Sequence, residues 1–217
     1  MKSKQIYSAF FLACILGLFS CTEMTFEEGL LKPATDIELE VSTFNDEGMI
    51  VETTSFTAPK GGAASSIESR GNKNQIATGD YQTLSGNQYQ FSAIENKGGV
   101  HGEWDLKTSF GNYKVETICV STNEEDGTAL VAGVVTEVLV PGFLQLDYVL
   151  FFRAKDNGEG ANSAPDQTSQ NFTILLNYRQ VYGTIENLLA NINCSNPSFM
   201  ANGLGGYGDR IGQIQVK

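Results

Sequence analysis

Residues 156–170 contain the densest group of side chains in the sequence that could bind a metal ion. Carboxylates and amides fall within eleven residues there, on turns that glycine permits. Such hard oxygen donors are the ligands that Ca²⁺ takes, although the spacing is not that of an EF-hand. The candidate ligands are Asp156, Asn157, Glu159 and Asp166. A long hairpin loop, whose Asp and Asn side chains bind local backbone, is the favoured interpretation, with calcium as the alternative and no other cofactor predicted.

Groups suited to acid–base or nucleophilic catalysis are few. His101 is the only histidine of the chain, and it falls on the polar face of a predicted strand with no nucleophile signal beside it. Glu103 and Asp105 share that face, but neighbouring positions on one strand do not form the cleft between carboxylates that glycoside cleavage needs. We therefore predict no catalytic residue.

Cys21 follows a segment with the features of an export signal. Two lysines precede an uncharged, largely apolar run from Tyr7 to Phe19, whose 13 residues are too few to span a bilayer as a helix. The tetrapeptide Leu18-Phe19-Ser20-Cys21 resembles the signal of bacterial lipoproteins. That resemblance implies removal of residues 1–20 and attachment of acyl chains, such as palmitate, to Cys21. A plain secretory signal is the alternative.

Two cysteines remain for the folded part of the protein. Cys14 would leave with the signal and Cys21 would carry lipid, so Cys119 and Cys194 are free to pair. The cell envelope is oxidising, which favours a disulfide between them. A redox site is the alternative, and the absence of a Cys-x-x-Cys spacing argues against it.

The charge of the chain is strongly acidic. The sequence has 14 basic and 25 acidic residues, and loss of the two lysines in the signal would leave a net charge of −13. Nucleic acid requires clustered Lys and Arg, so we exclude it as a partner. The expected contacts are the membrane, through the lipid, and an envelope or extracellular ligand.

Residues 21–74 are predicted to form a tether. The stretch from Ala58 to Asn74 is small and polar, with little to bury. Ahead of it, the weak alternation from Ile37 to Val51 contains the turn Asn45-Asp46-Glu47-Gly48 and could form one hairpin. An unstructured tether of this length would reach roughly 40 Å.

Residues 75–217 show the pattern of an antiparallel β-domain. Apolar and polar residues alternate in short runs, the last of which continues from Phe172 to Tyr178. Thr128 to Val140 is apolar enough to be covered on both faces, and Pro141-Gly142 should end that strand. One short helix is predicted from Ile185 to Ile192, with Thr184 as its N-cap. The prediction is an all-β fold, either an antiparallel barrel or a two-sheet sandwich, of about eight strands with one short helix.

Several segments of this domain resemble a widespread family of secreted bacterial β-domains. The most specific is Asp156-Asn157-Gly158-Glu159-Gly160 followed by Pro165-Asp166-Gln167. The strand from Val100 to Leu106 and the closing Gly212 to Val216 also match. The resemblance covers residues 75–217 and implies the fold and export, without implying a reaction.

The function predicted from these observations is that of a lipid-anchored protein of the cell envelope, most simply in the outer membrane. Its β-domain would act as a binding or structural module. The alternative is an envelope hydrolase or isomerase that uses carboxylates in the mouth of a barrel.

Overall fold

The computed structural model describes residues 37–58, 74–160, 162–192, 194–195 and 204–217. They belong to one compact unit that extends from Asp36 to Lys217. The predicted signal peptide, Cys21, and residues 22–36 and 59–73 of the predicted tether lie outside the described residues.

Thirteen strands form one antiparallel sheet. The strands are β1 (Ile37–Asn45), β2 (Ile50–Ala58), β3 (Gln75–Gln82), β4 (Gln88–Asn96), β5 (Gly99–His101), β6 (Glu103–Thr108), β7 (Gly111–Asn123), β8 (Thr128–Val140), β9 (Val149–Lys155), β10 (Gln167–Ser169), β11 (Asn171–Leu175), β12 (Tyr207–Asp209) and β13 (Ile211–Val216). The order across the sheet is β13-β3-β4-β6-β7-β8-β9-β11-β1-β2, with β10 beside β9 and β12, and β5 beside β4. The two helices are α1 (Tyr178–Tyr182) and α2 (Ile185–Asn191).

The all-β prediction is confirmed, but its finer form is wrong. One sheet replaces the predicted sandwich, and it is not a closed barrel, because β13 and β2 end the order without pairing to each other. The described residues form thirteen strands instead of about eight. Gly102 separates β5 from β6, since its φ is +141° and a Cβ there would lie 2.1 Å from the Ser92 carbonyl oxygen.

The part of the chain that the structure describes forms two helices where the sequence predicted one. The helix α2 is confirmed together with its cap, because the Asn187 N–H donates to the Thr184 hydroxyl at 3.2 Å. The additional helix α1 begins where alternation predicted more strand. The Asn177 side chain there accepts from Glu40 N–H at 2.9 Å and donates to the Glu38 carbonyl at 2.8 Å. The Asn177 side chain thus makes the backbone hydrogen bonds with β1 that a neighbouring strand would otherwise make. The strand ends here, and the chain continues as α1.

The hairpin that the sequence allowed within residues 37–58 is part of the sheet. The strand β1 pairs with β11 on one side and with β2 on the other. Phe44 of β1 is 6% exposed and belongs to the main core. Removal of this hairpin would therefore expose the core.

An inner core lies on the face of the sheet that carries most of the aromatic residues. Phe152 is central to it, with ring centroids 5.0 Å from both Phe91 and Trp104 and 5.6 Å from Phe172. The Trp104 indole N–H donates to the buried Thr117 hydroxyl at 2.9 Å, which satisfies its only polar group. Residues of β1, β3 and β13 join those of the central strands in this one cluster. The sheet therefore curls around a packed interior.

An outer core covers the opposite face of the central strands. On β9, Leu150 and Phe152 point to the inner core while Val149 and Phe151 point to the outer one, so both faces of this strand are buried. Residues of α1 and α2 pack on the outer face. The predicted disulfide between Cys119 and Cys194 is present, with a Cα–Cα distance of 5.9 Å, and it joins the segment after α2 to β7.

Candidate functional site

Four connections between strands contact one another, and we call the surface that they form the turn end. The connections are residues 46–49, 83–87, 109–110 and 141–148. Asn87 belongs to the second of these connections and joins it to two others. Its side-chain amide donates to the Asp46 carbonyl, and its side-chain oxygen accepts from Ser109 N–H at 2.8 Å. The ring of Phe110 lies 4.8 Å from that of Phe143, which adds the last connection. The turn end is therefore a packed surface built from distant parts of the chain.

The turn between β1 and β2 forms for local reasons that the sequence shows. The Asn45 side-chain oxygen accepts from the N–H groups of Glu47 and Met49, both at 3.0 Å. Gly48 takes a φ of +76°, and a Cβ on it would lie 2.5 Å from the Phe110 ring. Glycine is needed here both for its backbone conformation and for its close approach to that ring.

Asp46 in this turn forms an ion pair inside the turn end. Its carboxylate lies 3.0 Å from the guanidinium of Arg210, whose side chain is only 5% exposed. Arg210 Nε also donates to the Thr168 hydroxyl at 2.6 Å, and Nη2 donates to the Ser169 carbonyl at 3.1 Å. A buried guanidinium requires such partners, so this arginine connects the turn to β10.

Two buried tyrosines accompany this ion pair, and we call Asp46, Tyr81, Tyr89 and Arg210 the polar cluster. Burial raises the pKa of both tyrosine hydroxyls above 10.0. Burial also raises the pKa of Asp46, an effect that the neighbouring Arg210 opposes. The Asp46 Oδ1 atom and the Tyr89 hydroxyl are both buried, and no described residue meets either in hydrogen-bond geometry. The Asn87 amide lies close enough to the Tyr89 hydroxyl to lower its pKa slightly.

The cavity beside the polar cluster is very small. It has a volume of about 10 Å³, and Tyr89 lines it together with apolar side chains such as Phe44, Phe143 and Phe172. A single water molecule needs roughly this much space. Phe44 and Phe143 stack across it with ring centroids 4.2 Å apart. This cavity therefore has no room for a substrate.

The outer surface of the turn end is unusually apolar. All eight exposed large apolar side chains among the described residues lie in its turns or at the strand ends that flank them. We call them the apolar rim: Met49, Ile50, Val51, Leu84, Leu139, Val140, Leu146 and Ile211. Their exposed fractions range from 47% for Val140 to 86% for Leu84, at the tip of its turn. Ile211 belongs here because it pairs with Gln82, immediately before that turn.

The candidate calcium ligands lie elsewhere, between β9 and β13. Each oxygen of Asp166 accepts a backbone N–H, from Asn157 at 2.9 Å and from Ile214 at 2.7 Å. Asp156 does the same, with Gly158 at 2.7 Å and Val216 at 3.2 Å. These two carboxylates bond to the backbone of β13 on the side away from β3, and we call this contact the β13 seam.

The remaining candidates in this loop do not converge with the two aspartates. Asn157 uses its side-chain amide to donate to the Pro165 carbonyl, and Glu159 accepts from the Gln215 amide at 3.3 Å. Within the described part of the chain, no group of three or more His, Cys, Asp or Glu side chains is placed to hold a metal ion. Calcium stays a prediction, and the geometry gives these carboxylates a structural task.

His101, Glu103 and Asp105 lie on the outer surface of β5 and β6. His101 and Glu103 are exposed, and Asp105 is half-buried. Glu103 and Asp105 line an open polar cleft of about 540 Å³, together with Asp80 of β3 and Gln213 of β13. The hydroxyls of Ser92 and Thr78 also line this cleft, but His101 does not, and it is the only histidine in the chain. The cleft therefore has no histidine that could act as a base for these hydroxyls.

No protein-family model, curated protein or solved structure matches this chain significantly. Among the helices of the described residues, none has the length and apolar character needed to cross a membrane. The polar cluster was missed in the sequence because Asp46 occupies a turn in which aspartate is ordinary, and Arg210 lies far from it in the chain.

Proposed function

We propose that this protein is a lipoprotein of the cell envelope, attached through Cys21 to the outer membrane, and that its β-domain is a non-catalytic binding module. The signal-like segment before Cys21 supports the attachment. The Cys119–Cys194 disulfide is consistent with folding in an oxidising compartment.

The packed interior is the observation that carries the binding function. Sites for small molecules are usually clefts of about 300–1,000 Å³. The cavity beside the polar cluster measures about 10 Å³, whereas the polar cleft of about 540 Å³ beside Glu103 and Asp105 is open and lies on the outer surface. Its lining residues are in direct contact, as the stacked rings of Phe44 and Phe143 show. Recognition therefore falls to the outer surface of the domain.

The alternative of an envelope enzyme would rest on Asp46, because its carboxylate is partly desolvated and one of its oxygens has no described partner. We favour a structural task for it. The ion pair with Arg210 holds the β1–β2 turn against the sheet, and removal of one member leaves the other charge buried.

The substitution Asp46→Asn separates the two functions. If Asp46 holds the turn, the loss of its charge should lower the free energy of unfolding by about 2–4 kcal/mol, as measured by urea titration. A catalytic carboxylate kept in an unfavourable environment would instead give no loss, or a gain, on the same change. Glu47→Gln, in the same turn and exposed, is the matched control and should change stability by less than about 0.5 kcal/mol.

The anchor is tested on the native protein. Mass spectrometry should find an N-terminal Cys21 that carries acyl chains, and Cys21→Ala should move the protein from the membrane to the soluble fraction. Cys14→Ala, inside the predicted signal, is the control and should leave the fractionation unchanged. An intact leader or an unmodified Cys21 would contradict the attachment.

A further inference from the structure

The apolar rim is a concentrated and uncovered surface. Exposed apolar residues on a monomeric protein are usually scattered singly, and a group of them marks an interaction site. Here the described residues place all eight of their exposed large apolar side chains at the turn end. Packing between the turns holds these side chains on a firm base, as the Phe110–Phe143 contact shows.

The charges around the rim are predominantly negative. Glu47 and Glu52 flank Met49, Ile50 and Val51 along the chain, and both are exposed. Glu137 is exposed as well, and it lies two positions before Leu139. None of these three carboxylates forms an ion pair with a described residue.

The basic groups near the rim offset these acids only in part, because two exposed lysines, Lys107 and Lys114, stand against three exposed carboxylates. Arg210 is buried and paired with Asp46, and Arg179 is paired with Asp147. Lys107 lies at the end of β6, opposite Gln88. Lys114 faces Glu137 across the ladder but is not within ion-pair distance of it. The rim is thus an apolar centre with an acidic border.

The charges around the rim fit a basic partner better than a membrane surface. The acidic residues around the rim would be repelled by anionic lipid headgroups.

We propose that the apolar rim is a docking surface for a protein whose own surface has an apolar centre bordered by Lys and Arg. This inference rests on the proposed binding function and names its surface and the chemistry of its partner. Burial of the rim side chains would supply affinity, and the acidic border would favour basic partners over acidic ones.

The test uses two fluorescent amphipathic peptides of equal length, one built from Leu and Lys and the other from Leu and Glu. Their binding to the full-length protein in detergent is followed by fluorescence anisotropy. The Leu/Lys peptide should bind at least about 10-fold more tightly at low salt, and high salt should remove most of this preference.

Variants locate the binding surface. Met49→Ser with Leu84→Ser should weaken the binding of the Leu/Lys peptide by about 10-fold. Replacing Glu47, Glu52 and Glu137 by Gln should abolish the preference between the peptides but retain binding. Val100→Ser, in β5 away from the rim, is the matched control and should bind as the wild type does.

Three outcomes would overturn the inference. The peptides could bind equally well, or the rim variants could bind as the wild type does. Alternatively, the protein could bind phosphatidylcholine vesicles or a second copy of itself through the rim and fail to bind the peptides. Vesicle co-sedimentation and analytical ultracentrifugation measure these two alternatives. Each of these would leave the lipidation of Cys21 and the stability effect of Asp46→Asn unchanged, so failure of the docking surface is distinguishable from failure of the proposed function.

Discussion

Asp166 is expected to be one of the most important polar residues for stability, because its carboxylate bonds to the backbone of β13 where a neighbouring strand is lacking. The residue is 9% exposed, and both oxygens accept a backbone N–H. One of those donors belongs to Ile214, which is 2% exposed. We therefore predict that Asp166→Ala destabilises the domain strongly.

The magnitude follows from the two hydrogen bonds. A bond to a charged group contributes about 1.5–3 kcal/mol, and a buried donor left without a partner costs about 1–3 kcal/mol. Because these contributions overlap for the Ile214 N–H, we expect a loss of about 3 kcal/mol in the free energy of unfolding. For a domain of this size that lowers the melting temperature by roughly 6–12 °C. Asp166→Asn retains one acceptor and should lose about half as much.

The assay is urea unfolding followed by Trp104 fluorescence and far-ultraviolet circular dichroism, in buffers with calcium and with EDTA. Asp80→Ala is the matched control, because Asp80 is an exposed aspartate of β3 and its removal should change stability by less than about 0.5 kcal/mol. If Asp166 acts only through its hydrogen bonds in the β13 seam, Asp166→Ala should lower the free energy of unfolding equally in both buffers. A loss below about 1 kcal/mol would refute the reasoning, and a loss seen only with calcium would favour a metal site instead.

Two further predictions concern the tyrosines and the disulfide. Folding raises the pKa of Tyr81 and Tyr89 above 10.0. At high pH the unfolded chain therefore releases these protons while the folded protein retains them. The two tyrosines should leave the free energy of unfolding unaffected up to about pH 9, and they should lower it as the pH rises beyond 10. Tyr89→Phe should reduce this fall, as measured by urea midpoints from pH 8 to pH 11, and should cost little at neutral pH because the hydroxyl has no described partner. Replacing Cys119 and Cys194 together by Ser should lower stability by about 2–4 kcal/mol. Calorimetry with and without reductant checks this, and a reductant-sensitive melting temperature in the double variant would contradict it.

Local patterns in the sequence predicted many elements well. The strand β8 ends at Val140, as Pro141-Gly142 indicated, and it is buried on both faces over its first half. Thr184 caps α2, and Asn45 and Gly48 form the turn that their residue types favour. These features depend on side chains within a few residues of one another, so the chain alone specifies them.

Other elements depended on contacts that no local pattern contains. Alternation predicted a strand through Tyr178, but the Asn177 side chain binds the backbone of β1 and the chain turns into α1. Alternation also could not distinguish a barrel from a sandwich, since both use the same strands. The curled single sheet follows from pairing between distant segments, such as β1 with β11.

The sequence by itself determined the β-class of the domain, its short-range turns and caps, and the presence of two cysteines, Cys119 and Cys194, within the domain. Only the tertiary structure decided the polar cluster, the β13 seam and the apolar rim. Asp46 and Arg210 are far apart in the chain, as are Asp166 and Ile214, and each pair meets only because the sheet curls. The physical reason is that turn chemistry and periodicity act over a few residues, whereas burial and ion pairing depend on which strands become neighbours.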